Sequence, residues 1–365
     1  MKSKNISINI NTLGEGEKIS YKDRKSNMEL LRIIAMFLVL VAHADYFSIG
    51  VPMAEDIASK PLPSFTRILM ESISIVCVNV FVLLSGWFGI KPKFKSISNF
   101  CFQCLFFLIS IYVICLAFGR AQLNLKGIAE CFCLTKWNWF IKAYILLYII
   151  SPILNAFIEN ADKRTYKMIL VFFFLFQSFY GWLTQAVDFY LSGYTPFSFM
   201  GLYLLARYLH LYPCKFSNLS RNWYLFGYWV ITLLMASFCF ADSMGEPSGF
   251  TVGMFTYYNP LVILSSLCLL LYFSKLSIQN TFINWMAASS FAVFLLHSNP
   301  NIALQYFQPL MQNIYAQYDG VAYLAVITCC LLLIFTFAVL IDQIRIAGFK
   351  WTYPYMEKIY KNSLS

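Results

Sequence analysis

Arg32 and His43 are the two side chains whose types and spacing point first to chemistry. They stand eleven positions apart, separated by an unbroken apolar run over residues 33–42. At about 100° per residue, that spacing makes three helical turns plus about 20°, so on one helix both face the same side, about 16 Å apart along the axis. They cannot grip one small group together. They suit an elongated substrate, with an anionic head at Arg32 and a reactive end near His43. A guanidinium holds phosphate through charge-assisted, two-pronged hydrogen bonds. A neutral imidazole near pH 7 serves as general base or as a transient carrier of the transferred group. Each residue also has a plainer reading. Arg32 could snorkel at a membrane boundary and pair with Glu29, three positions back. His43 could be a buried imidazole satisfied by a hydroxyl or carbonyl. Asp45, two residues further on, points elsewhere on the helix and does not orient His43.

Other polar residues fall at comparable depth in apolar stretches, where an ionisable group is costly and marks a candidate site. His297 ends the run Ser290-Phe-Ala-Val-Phe-Leu-Leu-His297, Glu71 opens the second apolar segment and Lys142 lies early in the fourth. With His43 these three describe an outer-side polar chamber. Arg32 with Lys91, Lys93 and Lys95 describes a basic inner entrance. Singly, Glu71 and Lys142 read equally well as interfacial residues. Ser85 and Gly86 permit hydrogen bonding and close approach between helices. Trp139 sits in Trp137-Asn-Trp139-Phe and reads as an interfacial anchor. Cys101 and Cys104 have a Cys-x-x-Cys spacing, but no second pair or nearby His completes a metal site, so no metal is expected.

The elements that must position these groups follow from composition. Of 365 residues, 59% are hydrophobic, 19% aromatic and only 12% charged, about half the charged share of a soluble domain. Ten apolar segments recur, near residues 29–49, 70–90, 97–119, 139–158, 168–186, 196–212, 223–241, 256–274, 284–305 and 321–342. At about 1.5 Å per residue they match a hydrocarbon core of about 30 Å, with some tilt. The fold expected is an all-α integral membrane bundle of about ten transmembrane helices. Residues 1–27 form a polar, flexible cytoplasmic tail without a cleavable signal peptide, 28–345 the membrane domain and 346–365 a short cytoplasmic tail. The net charge of +10 invites a nucleic-acid partner. The basic residues instead fall in short loops, mostly on the side of the N-terminus, as positive-inside topology requires with both termini cytoplasmic. The lipid bilayer, not nucleic acid, is the expected partner.

Four stretches together resemble the membrane acyltransferase-3 family. Glu29-Leu-Leu-Arg32-Ile-Ile-Ala followed by His43 is similar to its Arg-x10-His pattern. Val80-Phe-Val-Leu-Leu-Ser85-Gly86-Trp resembles its second-span signature. Trp139-Phe-Ile-Lys-Ala-Tyr-Ile-Leu-Leu-Tyr148-Ile-Ile-Ser-Pro152 and Phe291-Ala-Val-Phe-Leu-Leu-His297 resemble two later segments. The resemblance implies an O-acyltransferase of the cell (inner) membrane. It would move an acetyl or other acyl group from cytoplasmic acetyl-CoA, as cosubstrate, to a hydroxyl of a cell-surface or lipid-linked glycan. No cofactor is expected to stay bound. His43 would be the essential catalytic residue and Arg32 its partner in the donor path. Two departures stand out. Some members carry Arg-x-x-Arg after the second span, where this chain has Lys91-Pro-Lys93-Phe-Lys95, and a late Tyr is replaced by Phe294. The rival readings are a transporter or lipid-linked-sugar flippase, which often shows inverted repeats and broken helices, and a membrane glycosyltransferase or polymerase.

Overall fold

The structure is a computed structural model and describes residues 24–185, 188–244 and 253–364; most of the expected N-terminal tail lies outside the described residues. Every regular element among them is helical. The chain starts with α1 (Ser26–Ala44), whose apolar run makes it a core helix. Its first turn is tied to distant chain: Asn27 Nδ2 donates to Phe273 O at 2.8 Å, and Asn280 N donates to Ser26 Oγ at 2.9 Å. The short α2 (Ala54–Ser59) leads into α3 (Pro61–Ser74) and α4 (Cys77–Phe88), which form one long apolar unit bent between them. α5 (Phe94–Ala117), the short α6 (Leu125–Cys131) and α7 (Trp139–Asn160) follow.

α8 (Lys163–Phe176) continues into a π-helical stretch, Gln177–Leu183. Next come α9 (Pro196–Leu211), α10 (Arg221–Asp242) and α11 (Pro260–Ser274). The expected segment 284–305 is not one helix. It is divided into α12 (Thr281–Ala288) and α13 (Ser290–His297), then α14 (Pro300–Ile302) and a π-helical stretch, Ala303–Phe307. Serine and proline chemistry explains the breaks. Ser290 Oγ donates to Ala287 O at 2.9 Å, Ser289 Oγ accepts from Gln343 Nε2 at 3.0 Å, and Pro300 disfavours helical geometry at Asn299, which caps the new turn instead. α15 (Gln308–Gln317) precedes the last helix, α16 (Gly320–Leu364).

Seven helices among the described residues are long and apolar enough to cross a membrane; Pro260–Ser274 and Thr281–His297 are apolar but shorter. Pro196–Leu211, with 16 residues, is short as well. At about 1.5 Å per residue such helices cover about 22–26 Å, less than a hydrocarbon core. The expected tail 346–365 has its own structure: α16 runs on to Leu364, and Tyr360 stacks on Phe94 with ring centroids 3.9 Å apart.

Core packing places α1 against α3, α4, α11, α12, α13 and α16. Gly86 is essential to one contact. A Cβ there would stand 2.8 Å from Tyr203 Cα, so α4 and α9 meet backbone to backbone. Arg67, Arg207 and Arg345, which the charge pattern assigns to segments between the spans, lie within helices. Arg67 and Arg345 are buried, each paired with a carboxylate: Arg67 Nε to Asp45 Oδ1 at 2.7 Å, and Arg345 Nη2 to Asp342 Oδ2 at 2.6 Å. Arg207 is half-buried and donates to Trp87 O at 3.2 Å. The helices outlast their apolar windows, and a hydrogen-bonded partner lets a buried guanidinium be tolerated.

Candidate functional site

α1 delivers His43 in its last turn, and α13 delivers His297 in its own last turn. The imidazole of His43 turns into the bundle, and its Nδ1 lies 2.9 Å from Nε2 of His297. His297 Nδ1 lies 2.5 Å from Val293 O. A carbonyl only accepts, so His297 Nδ1 carries the proton and its Nε2 is the acceptor. His43 Nδ1 must then donate, which leaves His43 Nε2 with a free lone pair. The chain of bonds sets both tautomers from a backbone carbonyl outward.

The pair is held from several sides. Ser48 Oγ donates to His43 O at 2.6 Å, fixing the end of α1. The turn after it is anchored by Arg67, which bonds Asp45, donates to Gly50 O and lies 4.9 Å over the Tyr315 ring. Phe47 lies against His43 and Phe307 against His297, each with centroids 5.3 Å apart. Trp137 donates to Ser298 O and packs edge-on against Phe47, closing the same end.

His43 faces a cavity of about 50 Å³, a space for a few heavy atoms. Its walls include Met36, Val39, Ala42, Phe81, Trp139 and Tyr257. On α1 the lining runs from His43 down to Met36, about one helical turn short of Arg32. The cavity reaches from His43 as far as Met36, and Arg32 is not among its walls. Arg32 Nη1 bonds Glu29 Oε2 at 2.6 Å, and Arg24 reaches the same oxygen at 3.6 Å. The plainer sequence reading of that pair is thus present in the structure. The rest of the Arg32 fork makes no hydrogen bond among the described residues.

The other candidates divide. His297 joins His43 directly. Glu71 does not open its helix: α3 starts ten residues earlier, and Glu71 is buried within it, with Oε2 unpartnered. It lies within electrostatic reach of Asp45, Tyr46, Tyr194 and Tyr257, the last being a cavity wall. Lys142 is not brought to the chamber. It is exposed, and Nζ donates to Thr135 O at 2.5 Å. Lys91 and Lys93 are exposed on the turn between α4 and α5, which Tyr148 OH grips by accepting from Lys93 N at 2.9 Å and donating to Lys93 O at 3.0 Å. Lys95 is set apart from them, over the Tyr353 ring at 5.5 Å. Ser85 Oγ and Tyr144 OH lie 3.1 Å apart, linking α4 to α7. Trp139 is a cavity wall stacked on Tyr257, with centroids 6.0 Å apart.

Sequence reasoning missed Met36, Tyr257, Ser48 and Phe307. Met36 lies on the Arg32–His43 face, so helical spacing could have found it. The others come from loops or later segments, and nothing local marks them.

An all-helical bundle with membrane-length helices and a hydrogen-bonded histidine pair beside a small apolar cavity defines the class of protein. Residues 25–343 match the acyltransferase-3 family, described as an acyltransferase domain, and the chain belongs to that family. It is a membrane acyltransferase. No curated relative and no solved structure matches the chain.

Proposed function

We propose that the protein is an O-acyltransferase of the inner cell membrane that moves an acetyl group from cytoplasmic acetyl-CoA to a hydroxyl of a cell-surface or lipid-linked glycan. In this reading the chain crosses the bilayer about ten times with both termini cytoplasmic, the three short helices spanning a locally thinned region. The Arg32 end faces the cytoplasm and the histidine pair faces the outer leaflet. The observation that carries the reading is the His43–His297 hydrogen bond, which leaves a lone pair on His43 Nε2, at a residue lining a cavity whose size suits a two-carbon acyl group.

The donor's phosphates meet the free part of the Arg32 fork, with Lys91 and Lys93 raising local donor concentration. Its thioester arm displaces the Met36 side chain and brings the carbonyl to the cavity. His43 Nε2 takes the proton of the acceptor hydroxyl while that oxygen bonds to the carbonyl carbon. The carbon–sulfur bond then breaks, and the leaving thiolate recovers the proton from His43. His297 is the positioning residue. When His43 becomes imidazolium, its Nδ1–H bond to His297 becomes charge-assisted and strengthens, so the contact favours the transition state over the ground state. Glu71 offers its unclaimed oxygen to an acceptor hydroxyl. The apolar walls exclude water that would hydrolyse the donor.

The test is purified protein in liposomes, given radiolabelled acetyl-CoA and a glycan acceptor. Label on the glycan is the expected result. Glycan crossing the bilayer with no label attached would make the protein a transporter instead.

A further inference from the structure

The transfer reaction leaves one charge without a partner. When the acceptor oxygen bonds to the thioester carbon, the carbonyl oxygen becomes an oxyanion. In an apolar cavity such a charge is very costly unless hydrogen-bond donors meet it. Among the described residues that wall the cavity, only His43, Cys77, Trp139 and Tyr257 carry a side-chain donor. His43 Nδ1–H is engaged by His297, and its Nε2 is the base. A thiol is a weak donor. The indole N–H of Trp139 and the phenol O–H of Tyr257 remain.

Both side chains are held in place. Trp139 opens α7, and Tyr194 and Phe199 pack edge-on against its ring, with centroids 4.5 and 6.3 Å away. Its Nε1 makes no hydrogen bond among the described residues, although an indole inside a protein usually finds an acceptor. Tyr257 stands just before α11 and is fixed at both backbone groups. Its N–H donates to Ser192 O at 3.0 Å, and its carbonyl accepts from Asn79 Nδ2 at 2.8 Å. The turn that supplies Ser192 O is strained: Leu191, Ser192 and Gly193 have φ of 38°, 56° and 90°. A Cβ on Gly193 would stand 2.6 Å from Tyr257 Cβ, so this turn presses directly on the tyrosine. The Tyr257 hydroxyl lies within electrostatic reach of the Cys77 thiol, another cavity wall. It also lies within hydrogen-bonding reach of the Tyr194 hydroxyl, which by donating to Tyr257 Oη frees the Tyr257 proton for the cavity.

We propose that Trp139 Nε1–H and Tyr257 Oη–H form the oxyanion hole opposite His43. The inference rests on the acyl-transfer reading. As the acceptor oxygen adds, the carbonyl π pair moves onto oxygen and is held by these two donors. It returns as the carbon–sulfur bond breaks, and the leaving thiolate takes the proton from His43. Trp139→Phe and Tyr257→Phe each remove one donor and keep an aromatic ring. Each should lower kcat about 100- to 1,000-fold with KM for acetyl-CoA nearly unchanged. A second measurement needs no turnover. The full-length protein in nanodiscs is given S-acetonyl-CoA, a ketone analogue that cannot transfer its acyl group, and the isotope-labelled carbonyl stretch is read by infrared difference spectroscopy. The stretch should lie at lower frequency in wild type than in either variant, because donors polarise the carbonyl and a packing role would not. Equal stretches in wild type and both variants, or unchanged kcat in both, overturn the oxyanion hole while acetyl transfer by wild type leaves the enzymatic reading standing. A wild type that neither binds the analogue nor transfers acetyl overturns the enzymatic reading and the oxyanion hole with it.

Discussion

His43 Nδ1 and His297 Nε2 share a 2.9 Å hydrogen bond although 254 positions separate them in the chain. Because His297 is itself fixed by the carbonyl of Val293, the bond selects the tautomer of His43 as well as its orientation. His43→Ala is expected to abolish acetyl transfer while membrane abundance is retained, and normal glycan acetylation in that variant would refute its role. His297→Ala should lower kcat about 10- to 100-fold with KM nearly unchanged, the loss of one charge-assisted contact and of tautomer control. His297→Gln, whose side-chain oxygen accepts from His43 Nδ1, should recover part of that loss. Steady-state kinetics on all three variants checks the assignment.

Arg32 shares Glu29 with Arg24, so its charge is partly compensated while most of its donors stay available. Arg32→Gln should raise the KM for acetyl-CoA about tenfold or more, the size expected for a lost charge-assisted bond. Arg32→Lys should also be damaging, because a point charge cannot replace the fork. A fully active Arg32→Gln enzyme would remove this residue from the donor path.

The cavity beside His43 sets a second expectation. Val39→Ala removes two methyl groups from its wall and should let the enzyme use propionyl- or butyryl-CoA, which wild type should handle poorly. Met36→Trp, at the Arg32 end, should block transfer from every donor without unfolding the protein. Competition assays across a series of acyl-CoA lengths read both effects, and identical length profiles for wild type and Val39→Ala would separate the cavity from donor choice.

The buried Asp45–Arg67 pair holds the turn that follows His43. Asp45→Ala strands a guanidinium that is 4% exposed and should cost about 3–5 kcal/mol, seen as a lowered Tm in detergent. Arg67→Met added to Asp45→Ala should restore much of the stability, since an apolar pair needs no compensation. A double variant no more stable than the single one would show that the cost arises elsewhere.

The sequence by itself determined the membrane class, the all-helical character and the family, because apolar runs and short motifs are local properties. It also determined that Arg32 and His43 share a face and that Glu29 sits beneath Arg32, because helical periodicity fixes neighbours within one helix. It placed His297 at the right depth, yet not against His43. It grouped Lys142 with the chamber, where the structure turns that side chain to the backbone of Thr135. It read Arg67 as a loop charge and residues 284–305 as one span. Only the tertiary structure decided these points, because the rotation and pairing of helices depend on packing between distant segments. The Gly86–Tyr203 contact, the break at Ser289 and the Asp45–Arg67 bond each join or reorient elements through partners that no local window contains.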